Sequence, residues 1–322
     1  MSINIVLIHK FKALENYIFY DKVIESVIEN VSKFNNIKYK GKTCKVYFIG
    51  NMHHKNLVEK FGVEFISLKK YPLNNFIYKT HISSNPKLYE YFCFKRHLIL
   101  WKFLNEYKLD NLIYLDSDVM VLNHKKFLDT FYQPEKDIVA QGHTVVPCFL
   151  YLSKRGLNYV KTAIINFFKM NSEEILNYLY ELPSGHNYKK NNQFSDMHFL
   201  TELFLGYGHF KKDFGSNLKL STQFINNMEF VSNFSRLLPD NHDTHIVFNK
   251  ENKNWYMKNN FIKKELKDKI EGEYFLVNAL HLAGSGKVFA EYICNLYRDK
   301  KTMYFENEFI IDNLLINEMY KG

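Results

Sequence analysis

Residues 112–122 read Leu-Ile-Tyr-Leu-Asp-Ser-Asp-Val-Met-Val-Leu. Apolar residues flank the two acids on both sides, so the run reads as a buried sheet strand, where charges do not sit without a partner. Side chains at i and i+2 of a strand point the same way, and Asp116 and Asp118 are therefore expected to face one spot. At roughly 6 Å and an effective dielectric near 20, two carboxylates repel by about 2 to 3 kcal/mol. A divalent cation between them removes that cost, which makes the run a candidate metal site. The alternative is an Asp-Ser-Asp turn joining two strands, since these residues cap turns through their side chains. The apolar flanks favour the strand.

The residues before that run alternate between strand and helix. Residues 3–8 are an apolar strand; in 16–34, Tyr17, Tyr20, Val23, Ile24, Val27 and Val31 recur at helical spacing; 45–49 is a second strand, 55–61 a short helix and 63–68 a third strand. This alternation predicts an α/β fold with a mostly parallel central sheet flanked by helices. Ligands bind such sheets at the carboxyl ends of the strands, where the first strand ends at His9-Lys10 and the acid pair ends a later one. Residues 89–107 form a helix with an apolar stripe of Phe94, Leu98, Trp101 and Leu104, and it carries the basic cluster Lys95-Arg96-His97. Beyond the acids, 137–140 and 148–152 are short strands around a polar turn containing His143, and 157–167 is a further helix. Residues 183–194 are the most loop-like segment; Ser195-Asp196 then opens a helix carrying Met197, Leu200, Leu203 and Phe204. An acid at a helix start is favoured by the dipole, which by itself accounts for Asp196. A late apolar run, 274–280, reads as a strand delivering His281 at its end, followed by Leu-Ala-Gly-Ser-Gly-Lys up to Lys287. Residues 306–318 suggest an amphipathic terminal helix. The chain is thus expected to hold a main domain over 1–290 and a helical C-terminal extension, 291–322, packed on it.

Strand, Asp-x-Asp, strand, and later His281 with Gly284 and Lys287, resembles the signature of nucleotide-sugar glycosyltransferases of the GT-A fold. The resemblance is to the retaining branch that includes glycogenin and bacterial lipopolysaccharide galactosyl- and glucosyltransferases, where a late His-x-x-Gly-x-x-Lys segment returns to the metal site. That branch usually continues Lys-Pro-Trp, whereas this chain has Lys287-Val288-Phe289. The resemblance implies a GT-A-like domain that moves a hexose from a UDP-sugar to a glycan or lipid-linked acceptor. By the same resemblance Asp118 and His281 ligate the metal, and Asp116 shares it or hydrogen-bonds the ribose. Gly284 and Gly286 let backbone amides approach the diphosphate, and Lys287 supplies a point charge to it. Arg96 contacts the nucleotide or its phosphates, and is preferred to Lys95 because a guanidinium pairs with phosphate in a bidentate way; the alternative is a solvent-facing helical turn. Asp196 binds sugar hydroxyls or acts in catalysis. Oxygen ligands suit Mg²⁺, and an imidazole tilts the set towards Mn²⁺.

Two other classes use similar residues. A metal-dependent nucleotidyltransferase or phosphohydrolase also employs paired acids and a Gly-Lys loop. Nucleotidyltransferases of similar fold show a glycine-rich loop after the first strand, where this chain has His9-Lys10-Phe11-Lys12. A non-catalytic anion-binding or nucleic-acid-binding protein is the third class. The formal charge of +9 favours anionic partners, but the basic residues are dispersed and no nucleic-acid-binding motif is present, so no nucleic-acid partner is expected. Peripheral contact with an anionic membrane is compatible with a lipid-linked acceptor. His242 and His245 lack the further ligands of a structural zinc site. Cys44, Cys93, Cys148 and Cys294 are far apart and read as free thiols in a reducing compartment. With residues 3–8 too short for a signal core, the expected location is the cytoplasm, at the inner face of the membrane for such an acceptor. The abundance of Lys, Asn, Ile and Phe fits an AT-rich bacterial genome.

Overall fold

The computed structural model describes residues 2–10, 17–72, 81, 83, 86–141, 146–181, 194–205, 220–221, 230–231, 244–249, 254–258, 275–282, 294, 298 and 303–305. In chain order the elements are β1 (Ser2–Ile8), α1 (Tyr17–Ser32), β2 (Lys38–Tyr39), β3 (Lys42–Gly50), α2 (Lys55–Lys60), β4 (Glu64–Ser67), α3 (Lys87–Glu106) and β5 (Asn111–Asp116). Then follow β6 (Val119–Val121), α4 (His124–Phe131), β7 (Ile138–Gln141), β8 (Val146–Ser153), α5 (Lys154–Phe167), α6 (Ser172–Glu181) and α7 (Asp196–Leu205). The last are β9 (Leu220–Ser221), β10 (Phe230–Val231), β11 (Thr244–Asn249), β12 (Asn254–Lys258), β13 (Phe275–Leu276), β14 (Ala279–His281) and β15 (Met303–Phe305).

The main sheet has eight strands in the order β2-β3-β1-β5-β8-β7-β9, with β4 also paired to β3. All but β2 and β8 run in one direction, giving the mostly parallel sheet that the alternation predicts. Both faces are covered, as a parallel sheet requires. In β1, Ile3, Ile5 and Leu7 join the core under α1 and α4, while Val6 and Ile8 join the core under α3, α5 and α7. The same alternation in β5 sends Ile113 and Leu115 one way and Leu112 and Tyr114 the other. Asp116 continues the second series and so faces α3.

Two expected strands are each broken, and the breaks matter. The run 112–122 is β5, a turn at Ser117-Asp118, and β6, which leaves the main sheet for a three-stranded sheet of order β10-β14-β6. The run 274–280 likewise splits at Val277-Asn278 into β13, part of a four-stranded sheet, and β14, part of the three-stranded one. An apolar run looks the same whether it pairs in one sheet or crosses between two, because burial on both sides is common to both cases. Helices α4 and α6 were not anticipated; α4 starts on Asn123, whose side chain accepts from Lys126 N at 3.1 Å. In the expected helical extension, Cys294 and Arg298 are helical and Met303–Phe305 is a strand against β11. The guanidinium of Arg298 donates to both oxygens of Glu29 on α1. The segments 142–145, 183–193 and 306–318, and His242, Gly284, Gly286 and Lys287, lie outside the described residues. No helix among the described residues is long and apolar enough to cross a membrane.

Strand β6 is only three residues long and pairs with β14 on one side. On its other side Asn30 of α1 stands in for a strand: its amide donates to Val121 O at 3.0 Å and its carbonyl accepts from Val121 N at 2.8 Å. Asn30 is fully buried. Asn30→Ala therefore leaves a backbone donor and acceptor without partners in the core, and a loss of about 2 to 4 kcal/mol is expected in urea denaturation. A loss below about 0.5 kcal/mol would show that β6 holds its place without that side chain.

Candidate metal centre

Three pieces of local structure converge at the carboxyl end of β5. Strand β1 lies parallel beside β5 with Ile8 opposite Asp116, so His9 arrives at the turn that follows. Its Nδ1 lies 2.8 Å from Ser117 Oγ, pinning the turn to the neighbouring strand. Past the turn, β6 and β14 run antiparallel with Val119 opposite His281, and Asp118 O accepts from Leu282 N at 2.8 Å. Asn278 O, at the break before β14, accepts from both Leu122 N and Asn123 N. This backbone pairing, and not a shared strand face, brings the second acid and the histidine together.

The result is a cluster of Asp116, Asp118 and His281 whose candidate ligand atoms all lie within 4.8 Å of one another. His281 Nε2 is 3.1 Å from Asp118 Oδ1 and 3.8 Å from Asp116 Oδ2. Each of the three side chains is between 14% and 18% exposed, so the cluster opens to solvent at the sheet edge. Burial works against a charge on His281, but Asp118 and then the Cys148 sulfur outweigh it and raise its pKa well above the ordinary value. The donor set fits a divalent ion: two carboxylates and an imidazole, with the His281–Asp118 separation of 3.1 Å near the ~3 Å between neighbouring ligands that each lie about 2.1 Å from one metal.

Behind the cluster lies a buried ionic network. Arg96, 7% exposed on α3, donates through Nη1 to Asp116 Oδ1 at 2.7 Å and through Nη2 to Asp196 Oδ2 at 2.5 Å. The Tyr114 hydroxyl also donates to Asp116 Oδ1, so that oxygen is held from behind while Oδ2 faces His281. Asp196 is the first residue of α7, as its sequence context predicts, and His97 Nε2 lies 3.6 Å from its Oδ2. Burial opposes its ionisation, but Arg96 beside it draws its pKa down to about 2. The fully buried Glu90 caps α7 by accepting from Asp196 N at 2.9 Å, and its other oxygen accepts from Ser83 Oγ at 3.0 Å. Glu90, Cys93 and Asp196 also converge within 4.8 Å, but the two carboxylates there are occupied by these bonds.

Of the residues singled out from sequence, Asp116, Asp118 and His281 meet, and Arg96 and Asp196 stand directly behind them. Arg96 and His97 are buried, not part of a solvent-facing turn. Glu90, Tyr114 and Cys148 were missed; each lies in a run whose apolar neighbours mask it. So was Tyr89, which shares the face of α3 that carries Cys93 and Arg96. It is 45% exposed. All four cysteines are free and buried.

No known protein family and no curated protein matches the chain by sequence. Among solved structures the chain is similar to glycosyltransferases. The galactosyltransferase LgtC in complex with donor and acceptor sugar analogues is 15% identical over 94% of this chain and 97% of that one, with a TM-score of 0.46. Mouse xyloside xylosyltransferase 1 is 11% identical over 64% and 83%, with a TM-score of 0.44. Glycosyltransferase GlyE of Streptococcus pneumoniae TIGR4 is 17% identical over 56% of this chain, with a TM-score of 0.35, and the match spans 43% of that protein.

Proposed function

We propose that this chain is a metal-dependent glycosyltransferase that moves a hexose from a UDP-sugar to a glycan or lipid-linked acceptor. The observation that carries the reading is the meeting of Asp116, Asp118 and His281, supplied by strands of two different sheets, at the carboxyl end of the parallel sheet. Two carboxylates and an imidazole within reach of one point, partly open to solvent, form a ligand set that a divalent cation can enter. Mn²⁺ or Mg²⁺ bound there would act as a Lewis acid on the departing diphosphate.

The chain's own groups divide the remaining work. Asp118 Oδ1, Asp116 Oδ2 and His281 Nε2 are the proposed ligands. Arg96 and Tyr114 hold Asp116 in register, and Gly284, Gly286 and Lys287, next along the chain from His281, are proposed to meet the diphosphate. For Asp196 the choice lies between binding sugar hydroxyls and acting as the catalytic base. A carboxylate titrating near 2 is a weak proton acceptor at neutral pH. Its ionised form suits an acceptor of hydrogen bonds from sugar hydroxyls, and this weighs against an inverting reaction in which Asp196 deprotonates the acceptor.

A thermal-shift panel of nucleoside diphosphates with and without Mn²⁺ tests the reading. UDP with Mn²⁺ at about 100 times its dissociation constant is expected to add about 2.7 kcal/mol, a rise of roughly 5 °C, while UDP alone does little. Stabilisation by RNA, indifferent to metal, would replace the enzyme with an anion-binding protein.

A further inference from the structure

Helix α3 grips Asp196 at two points. Glu90, Cys93 and His97 recur at three- and four-residue spacing and share one face of α3, with Arg96 beside them. The guanidinium of Arg96 fixes the side chain of Asp196, donating to Oδ2 at 2.5 Å, and His97 Nε2 lies 3.6 Å from the same oxygen. Glu90 fixes the main chain, its Oε1 accepting from Asp196 N at 2.9 Å. That amide opens α7 and has no partner within its own helix. A helix start is ordinarily closed by the side chain of the residue just before it. Ser195 instead turns its hydroxyl to His198 Nδ1 at 3.0 Å, and the amide of Asp196 is met by a carboxylate 106 positions away. The other oxygen of Glu90 accepts from Ser83 Oγ at 3.0 Å, in the segment that leads into α3. Glu90 is fully buried and reaches no ligand itself. A buried carboxylate is a costly way to close a helix that a hydroxyl could close locally. What it adds is a fixed distance between α3 and the start of α7.

We infer that Glu90 is a positioning residue for the donor sugar, holding the main chain of Asp196 so that the carboxylate held by Arg96 meets the sugar hydroxyls. The inference rests on the glycosyltransferase reading above and adds to it the group that sets where the sugar-binding acid stands. Arg96 alone fixes one oxygen and leaves the residue free to pivot about it. With the amide held as well, the pivot is closed, and Asp196 keeps its place relative to Asp116, which the same guanidinium holds on its other side.

The experiment compares Glu90→Gln, Glu90→Asp and Glu90→Ala with the unmodified chain. Isothermal titration in Mn²⁺ measures UDP, UDP-glucose and UDP-galactose separately, and metal-free thermal melting controls for folding. Glu90→Gln keeps the reach of the acceptor and loses the charge, and its affinities are expected to stay within about three-fold of the unmodified chain. Glu90→Asp keeps the charge but is one methylene too short for the amide, and Glu90→Ala removes both. In these two variants UDP is expected to bind within about three-fold of the unmodified chain, whereas the tighter of the two sugar donors weakens about ten-fold, the scale of one hydrogen bond to a charged group. Equal losses for UDP and the sugar donors, or no loss for either, would reduce Glu90 to a helix cap and overturn the inference. So would a loss in Glu90→Gln with none in Glu90→Asp, which would put charge in the place of reach. An unmodified chain that binds UDP with Mn²⁺ but neither sugar donor, or none of the three, removes the glycosyltransferase reading itself. Should Glu90→Ala not fold, Glu90→Asp carries the same expected loss and the same overturning results.

Discussion

Asp118→Ala is expected to abolish Mn²⁺-dependent UDP binding and to reduce sugar transfer by about a thousand-fold or more, while the protein folds as before. The prediction separates chemistry from architecture because of how Asp118 is built in. Its contribution to the fold is a backbone one, the carbonyl that accepts from Leu282 N, and alanine retains it. Its carboxylate faces His281, with Oδ1 3.1 Å from Nε2. A cation that stabilises a departing diphosphate supplies several kcal/mol, and about 4 kcal/mol corresponds to about a thousand-fold in rate. Asp116→Ala is the less informative change, since Asp116 is also one of the two carboxylates that neutralise Arg96 and its loss acts on folding as well. Isothermal titration of UDP with and without Mn²⁺, together with transfer assays on Asp118→Ala, decides the matter. Metal-dependent binding that survives the substitution would place the ion elsewhere.

How the site came to be readable from sequence, and where it did not, follows from which interactions are local. Alternating strand and helix periodicity, and the presence of acids in an apolar run, are properties of short windows, and they located the parallel sheet, Asp116, Asp118 and the arrival of His281 at a strand end. The path of the chain between sheets is not local. Ser117 and Asn278 interrupt their runs because β6 and β14 find each other, and that pairing joins segments distant in sequence. The turn set aside in favour of a continuous strand is present, yet the acids still converge, because His9 and the β14 edge fix the turn from outside. Arg96 was legible as a basic residue near the site and illegible as the partner of two carboxylates, since one of them lies a hundred positions along the chain. Glu90, Tyr114 and Cys148 carried no sequence signal beyond being polar atoms in buried segments.

Arg96 offers the second large effect, this time on stability. Arg96→Leu is expected to cost about 3 to 5 kcal/mol and lower the melting midpoint by roughly 5 to 8 °C. The side chain is 7% exposed and bridges Asp116 and Asp196, so its removal leaves the buried Asp196 and the partly exposed Asp116 with no guanidinium between them. Arg96→Lys keeps a charge but lacks the fork that reaches both acids, and should fall between the two. The pH dependence identifies the cause. In the unmodified chain Asp196 titrates near 2 against an ordinary 3.8, so its ionised form stabilises the fold above about pH 4, and that contribution is lost as the pH falls towards 2. In Arg96→Leu the depressing charge is gone and burial alone acts, which raises the carboxyl pKa; protonation then relieves the variant as the medium is acidified. The stability gap between the two proteins should therefore be widest near neutrality and narrow below about pH 4, as read by urea denaturation at pH 7 and pH 3. Combining Arg96→Leu with Asp196→Asn should recover part of the loss, since the two residues share one interaction and their separate costs do not add. A gap that stays constant with pH, or a strictly additive double variant, would show that the ion pair is incidental and that Arg96 serves only to fill space.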